Sequence, residues 1–300
     1  DLAASWQMAW DDTALYLMVN VADDIHARNQ LGNQTFRGDS IELLILGNSH
    51  AYNGIDPRGF SSPAYNAANI SQDHRRDLAI AKQCIGHLPQ LRSIIIPVSY
   101  ASIGARLETG KEAWRVKNYT LYMDVTERST QPDHWLELMN RPMRDQVTML
   151  RAWWGKGKDN RSCNSHGAGQ QKRPKDFDPG TSAAKASARH RARSSDGVEA
   201  NRSELERIVA FASQRGIKVI IFMPPSTDAY NRSLDDGQLN MAIAMGEQLA
   251  HDNELVEFHN FMDETGFVDA DFGDADHLGP SGAAKLSRLL DELMDQPIVP

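Results

Sequence analysis

The chain has 300 residues, 41% hydrophobic and 24% charged, which suits one large α/β domain or two smaller ones. A net charge of -8 argues against a nucleic-acid partner, and no apolar run has the length of a membrane span. Asp1 to Trp6 carries neither a basic nor an apolar region, so it is not read as a signal peptide, although one could have been removed; the two cysteines, Cys84 and Cys163, are too few for a disulfide framework or a zinc site.

The first 40 residues have strand character. Trp6 to Trp10 and Leu15 to Val21 are rich in strand formers and flank the turn signal Asp11-Asp12-Thr13. This predicts a β-hairpin at 1–40, and a lone hairpin must pack on something else. Ile41 to Leu46 is a short apolar run ending at Gly47, the pattern of a buried strand entering a turn. A helix is expected over 76–83, a buried strand over 91–98 and a helix over 132–154. Residues 155–197 are dominated by Gly, Ser, Lys, Arg and small residues, so most of this stretch is expected to be a mobile loop, with room for a short basic helix at 183–193. Order returns with an amphipathic helix from Asn201, ended by Gly216. A strand at 218–223 stops at Pro224-Pro225. A helix at 235–251, a strand at 255–259 and a closing helix at 281–293 complete the pattern. Strands alternating with helices predict an α/β three-layer sandwich with a mostly parallel sheet, spanning 41–300.

The chemistry-bearing residues cluster where such a sheet places its ligands, outside the carboxyl ends of the strands. Gly47-Asn48-Ser49-His50 puts a serine just past the first strand, after a glycine that permits a tight turn. A serine hydroxyl is a weak nucleophile until a base takes its proton, and a histidine held by a carboxylate is the usual device. Asp274 and His277, three residues apart before the last helix, supply that pair. Gly38-Asp39-Ser40 has a similar look, but Ser40 precedes the strand instead of following it.

The ordered set Gly47-Asn-Ser-His50, Ala64-Tyr-Asn66, Ile96-Pro-Val-Ser-Tyr100, Lys218 to Pro225 and Asp274-x-x-His277 resembles the SGNH (GDSL-like) hydrolase superfamily over residues 41–293. The resemblance implies a flavodoxin-like fold. It implies a catalytic Ser49, Asp274 and His277, and ester hydrolysis or O-acyl transfer on an acylated small molecule or carbohydrate, with O-acetyl groups on sugar as one form. No cofactor or metal is implied, and the related branches point to the bacterial cell envelope or secretion. The superfamily completes its oxyanion hole with a glycine and an asparagine that have no clear match here. Asn48, Asn66, Asn69 and Ser99 are the nearest candidates, beside the Ser49 amide. Residues 5–42, with Trp10-Asp-Asp-Thr13, Leu15 to Asp24 and Gly38-Asp-Ser-Ile-Glu42, resemble a fragment of a family 9-like carbohydrate-binding sandwich. A non-catalytic carbohydrate-binding or cell-envelope protein on an SGNH-like scaffold is therefore the alternative. Asp271, Asp274 and Asp276 could instead form a solvated acidic loop or bind a cation, and Trp6, Trp10 and Tyr16 could be sugar platforms or hairpin core.

Overall fold

A computed structural model describes residues 3–10, 15–22, 40–116, 119, 147, 151, 154–155, 163–169, 171–192, 195–262 and 264–294. Two strands, β1 (Ala3–Trp10) and β2 (Leu15–Ala22), pair antiparallel with Ala3 opposite Ala22 and Trp10 opposite Leu15. The sugar-platform reading of Trp6, Trp10 and Tyr16 concerns side chains outside the described set. So does the helix expected at 132–154, apart from isolated positions.

The remaining strands are β3 (Leu43–Ile45), β4 (Ala64–Asn66), β5 (Ser93–Pro97), β6 (Lys218–Met223) and β7 (Val256–Asn260). They form one parallel sheet in the order β4-β3-β5-β6-β7. The described helices are α1 (Ser49–Gly54), α2 (His74–Ile85), α3 (Pro179–His190), α4 (Ser195–Ser213), α5 (Asp228–Asn231), α6 (Asp236–His251) and α7 (Pro280–Met294). This is an α/β three-layer sandwich.

The layers follow from the period-2 alternation of the strands. Leu44, Ile94, Ile96, Val219 and Ile221 face one core, shared with α2, α4 and α6 through residues such as Ala81, Leu205, Ile208 and Met245. Leu43, Ile45, Ile95, Ile220 and Phe222 face the other, closed by α1 and α7 through Tyr52, Leu286 and Leu290. Because both faces are covered, β3, β5 and β6 have no polar face, which is why their sequences are near-continuous apolar runs. Side-chain caps set several helix starts: Asp73 accepts from the Arg76 amide, Asp178 from Thr181 and Asp235 from Gln238.

Within 155–197 the described residues include more regular structure than composition predicts. Helix α3 begins at Pro179 and α4 begins at Ser195, six positions before the expected Asn201. The reason is that small residues suffice there: Ala183 and Ala186 pack with Tyr100, Tyr230 and Ala275 in a third, minor core. Cys163 and Gly169 also bridge, and the Gly169 amide donates to the Tyr52 carbonyl at 2.8 Å. Neither Cys84 nor Cys163 is in a disulfide.

One local feature fixes the turn after β3. Gly47 has φ +115°, and a Cβ there would stand 2.3 Å from Pro97 Cδ. The Gly47 amide donates to Asp77 Oδ1 at 2.7 Å, and that buried carboxylate also receives Gln72 Nε2 at 2.7 Å and lies 3.0 Å from His74 Nδ1. Gly47→Ala adds left-handed strain to an overlap with a rigid ring, each costing about 1–3 kcal/mol. Thermal denaturation should show a Tm lowered by about 4–24 °C, given about 2–4 °C per kcal/mol for a domain of this size. An unchanged Tm would mean that the turn is not held as described.

Candidate active site

The chain leaves β3, adds β4 on one side of it, then returns to add β5 on the other. The carboxyl ends of β3 and β5 therefore flank the switch point of the sheet, where open α/β folds bind ligands. Ser49 follows β3 and Ser99 follows β5. Asn48 Oδ1 accepts from the His50 amide at 3.0 Å, which starts α1 and sets Ser49 at its first position. Ser40 stands exposed before the amino end of β3, away from this edge.

The second half of the site is the loop before α7. Phe272 and Leu278 bridge, and the amide of Gly273 donates to the His277 carbonyl at 2.9 Å. Asp274 Oδ1 accepts the amides of Asp276 at 3.1 Å and His277 at 2.8 Å. The three-residue spacing thus folds back on its own carboxylate. Both Asp274 oxygens lie 3.0 Å from His277 Nδ1, and His277 Nε2 lies 2.7 Å from Ser49 Oγ. Gln171 Nε2 donates to Asp274 Oδ2 at 3.2 Å, a contact from the 155–197 stretch that sequence reasoning did not anticipate.

A second carboxylate sits behind this row. Asp276 is 2% exposed, and its Oδ2 accepts from His50 Nε2 at 3.2 Å. The same oxygen is 3.6 Å from His277 Nδ1 and 3.7 Å from His190 Nδ1. The His50 and His277 rings stack, with centroids 4.9 Å apart. Asp271 is also buried, and its carboxylate is paired with Lys285 and accepts the Val268 amide. The solvated-acidic-loop reading is thereby corrected for Asp271 and Asp276: both carboxylates have partners that offset their loss of water. His50 and His190 were not singled out in the sequence, and only the folded packing brings them to Asp276.

Charge follows from this packing. Burial opposes the imidazolium of His277, but the Asp276 charge and the hydrogen bond and charge of Asp274 overcome it, raising its pKa to about 9. Burial also opposes the ionised form of Asp276, yet the charge of His277 and the hydrogen bond from His50 hold its pKa below the usual carboxylate range. Asp274 is lowered in the same way, with its bond to His277 outweighing burial. His50 is lowered chiefly by burial, and His190 falls to about 4 for the same reason.

Nitrogen or oxygen atoms of His50, Asp276 and His277 lie within 4.8 Å of one another, a spacing from which a metal could be held. The hydrogen bonds argue for a proton network. Asp276 already binds His50, His277 Nδ1 already meets Asp274, and stacked rings 23° from parallel do not converge two nitrogen lone pairs on one point.

The four candidate oxyanion residues differ in what they have left to give. Asn66 Nδ2 is spent on the carbonyls of Ala51 and Ile55, both at 2.9 Å, while its Oδ1 accepts the Ala68 amide. Asn48 is a helix cap. Ser99 Oγ faces Ser102 in a closed turn, taking its amide at 3.2 Å. Asn69 is different: it is 1% exposed, its amide donates to the Gly47 carbonyl, and its Nδ2 has no partner among the described residues.

The fold and this row of side chains define an α/β protein with a serine, a histidine and a carboxylate in hydrogen-bonded sequence at its switch point. Residues 1–80 match a family model described as carbohydrate family 9 binding domain-like. The match runs past the 5–42 read from the sequence and into β3, β4 and α2, which pair and pack here as parts of the parallel α/β layer. No curated protein sequence matches. Among solved structures, a GDSL-like lipase from Bacteroides thetaiotaomicron is 9% identical, with TM-score 0.40, 87% of this chain and 91% of that one being covered. A structure described as an acylhydrolase from Bacteroides fragilis is 11% identical, TM-score 0.40, covering 85% and 86%. One described as a platelet activating factor from Streptococcus pneumonia is 12% identical, TM-score 0.44, covering 88% and 87%. No helix among the described residues is long and apolar enough to cross a membrane.

Proposed function

We propose that this chain is a serine-dependent ester hydrolase or O-acyltransferase. The observation that carries the reading is the run Asp274–His277–Ser49, at 3.0 Å and 2.7 Å. His277 Nε2 takes the Ser49 proton as Oγ attacks the ester carbonyl. The same nitrogen then returns that proton to the leaving alcohol, leaving Ser49 acylated. Water or an acceptor alcohol next attacks the acyl group, again losing its proton to Nε2, and Ser49 is restored. Asp274 holds the imidazole with Nε2 toward the serine. The Ser49 amide and Asn69 Nδ2 are the donors for the oxyanion; Asn66 is not, its amide hydrogens being in use. The carbohydrate family 9-like match over 1–80 supports an acylated carbohydrate, including an O-acetylated one, as substrate.

A fluorophosphonate probe should form one adduct, located at Ser49 by mass spectrometry and lost in Ser49→Ala. Undiminished labelling of that variant would sink the assignment. The same family match favours a second reading, a carbohydrate-binding protein without catalysis. Glycan-array binding that survives Ser49→Ala and disappears when 1–40 are removed, together with no labelling of the wild type, would favour it.

A further inference from the structure

Residues 163–169 and 171–173 form a strap between the edge of the sheet and the loop that carries Asp274 and His277. Main-chain contacts pin it along the way. The Asn66 amide in β4 donates to the His166 carbonyl at 2.9 Å. The Gly169 amide donates to the Tyr52 carbonyl in α1 at 2.8 Å, and a Cβ on Gly169 would overlap the Tyr52 ring. Arg173 Nη1 donates to the Asp269 carbonyl, ahead of Asp274, at 2.7 Å. Gln171 lies between the last two of these fixed points. It packs on Gly273, where an added Cβ would stand 2.6 Å from Gln171 Cγ. Its Nε2 donates to Asp274 Oδ2 at 3.2 Å.

That contact bears on a competition for His277. Both Asp274 oxygens lie 3.0 Å from His277 Nδ1, and Asp276 Oδ2 lies 3.6 Å from the same nitrogen. One N–H thus faces three carboxylate oxygens. A ring that turns toward Asp276 draws Nε2 off its 2.7 Å line to Ser49 Oγ. A carboxylate turns easily about its Cβ–Cγ bond, so its plane must be held from outside. Asp274 Oδ1 is fixed by the amides of Asp276 and His277. Among the described residues, Oδ2 has His277 Nδ1 and Gln171 as its hydrogen-bond partners. With Gln171 on the second oxygen, the carboxylate is held at both ends. Its negative charge strengthens the bond, so one amide donor suffices.

We infer that Gln171 is a positioning residue: its amide donor holds the Asp274 carboxylate against His277 and so keeps Nε2 in line with Ser49. This role rests on the acyl-transfer reading above. A stretch poor in large apolar residues thereby completes the site. Reacting groups must be held to within about 0.5 Å, and supporting hydrogen bonds from a pinned segment supply that hold.

The test follows the rate of Ser49 labelling by a fluorophosphonate in the full chain, from about pH 6 to about pH 10, which gives both the rising limb and the plateau. Gln171→Met keeps the side-chain length and the packing on Gly273 but has no donor. Its plateau rate should fall about tenfold, the loss of one hydrogen bond to a charged group that is partly open to water. Its Tm should stay within about 2 °C of the wild type. Gln171→Lys restores a donor and adds a positive charge beside Asp274. Its plateau should return to within about threefold of the wild type, and its limb should move down by about one pH unit, because a cation there disfavours the His277 imidazolium. The ionisable groups already facing that ring are Asp274 and Asp276 on its own loop, His50 on α1, and Arg189 and His190 on α3. Both variants leave these in place. A side chain that only supports the strap would lower Tm in Gln171→Met and leave plateau and limb alone. A Met variant labelled at the wild-type plateau rate, or a Lys variant that fails to restore the plateau or to move the limb, overturns the proposal and leaves the Ser49 assignment standing. No adduct at Ser49 in the wild type removes the enzyme reading and this role with it.

Discussion

Replacing His277 by alanine should lower kcat for hydrolysis of a p-nitrophenyl ester by about 10⁶-fold, the scale found in subtilisin when its base is removed. The reason is that Ser49 Oγ has one acceptor for its proton among the described residues, His277 Nε2 at 2.7 Å. Asp274→Ala should cost less, no more than about 10⁴-fold, the cost scale of losing the orienting carboxylate in that enzyme. Here a further carboxylate remains: Asp276 Oδ2 is 3.6 Å from His277 Nδ1 and keeps a negative charge on the same side of the ring. Losing Asp274 also removes the acceptor of the Asp276 and His277 amides, so part of the loss is misplacement of the loop. Combining both substitutions should add little beyond His277→Ala, because groups acting as one unit are not additive. Stopped-flow measurement of acyl-enzyme formation reads these effects on the chemical step. A His277→Ala protein retaining a tenth of wild-type kcat would refute the role of His277.

The positions of the buried strands along the chain are legible because apolar runs bounded by Gly and Pro are what a doubly covered parallel strand requires. The three-residue strand Ala64–Asn66 is not legible in the sequence: it is too short for periodicity, and its place comes from pairing with Leu43–Ile45. For the same reason the sequence at Ser49 predicts a turn where the structure has a six-residue helix. In 155–197, composition argued against packing because large apolar side chains are scarce, yet two alanines and a close glycine approach suffice where the partners are Tyr52, Tyr100 and Tyr230. The row Ser49, His277 and Asp274 could be proposed because two of its members are local to each other and the third marks a strand end. His50, His190 and Asp276 could not, since they lie on three separate segments and no spacing signals their meeting. Asn66 and Asn69 looked equivalent in the sequence; only the hydrogen bonds separate a structural amide from an open one.

The two carboxylates around His277 make the pH profile the most informative solution property. A general base must be neutral to accept a proton, and kcat/KM reports the free enzyme. With the His277 pKa raised to about 9, the neutral fraction at pH 7 is about one in a hundred. Labelling rate and kcat/KM should therefore climb about tenfold per pH unit from pH 7 and level off near pH 9. The groups that set this limb are Asp276 and Asp274, which favour the charged ring, against burial and the charge of Arg189. Asp276→Asn keeps an acceptor for His50 Nε2 but removes the charge, so its limb should move to lower pH and its rate at pH 7, relative to its own plateau, should rise. Stability runs the opposite way. A histidine with a raised folded pKa stabilises the fold fully below its unfolded value, about 6.5, and that contribution is lost as pH rises through the folded value near 9. Between these two values the wild type gains active base while losing this part of its stability. Asp276→Asn should flatten both trends together in denaturant titrations and rate profiles. A profile already level at pH 7, or one that Asp276→Asn does not move, would show that Asp276 does not govern the charge of His277.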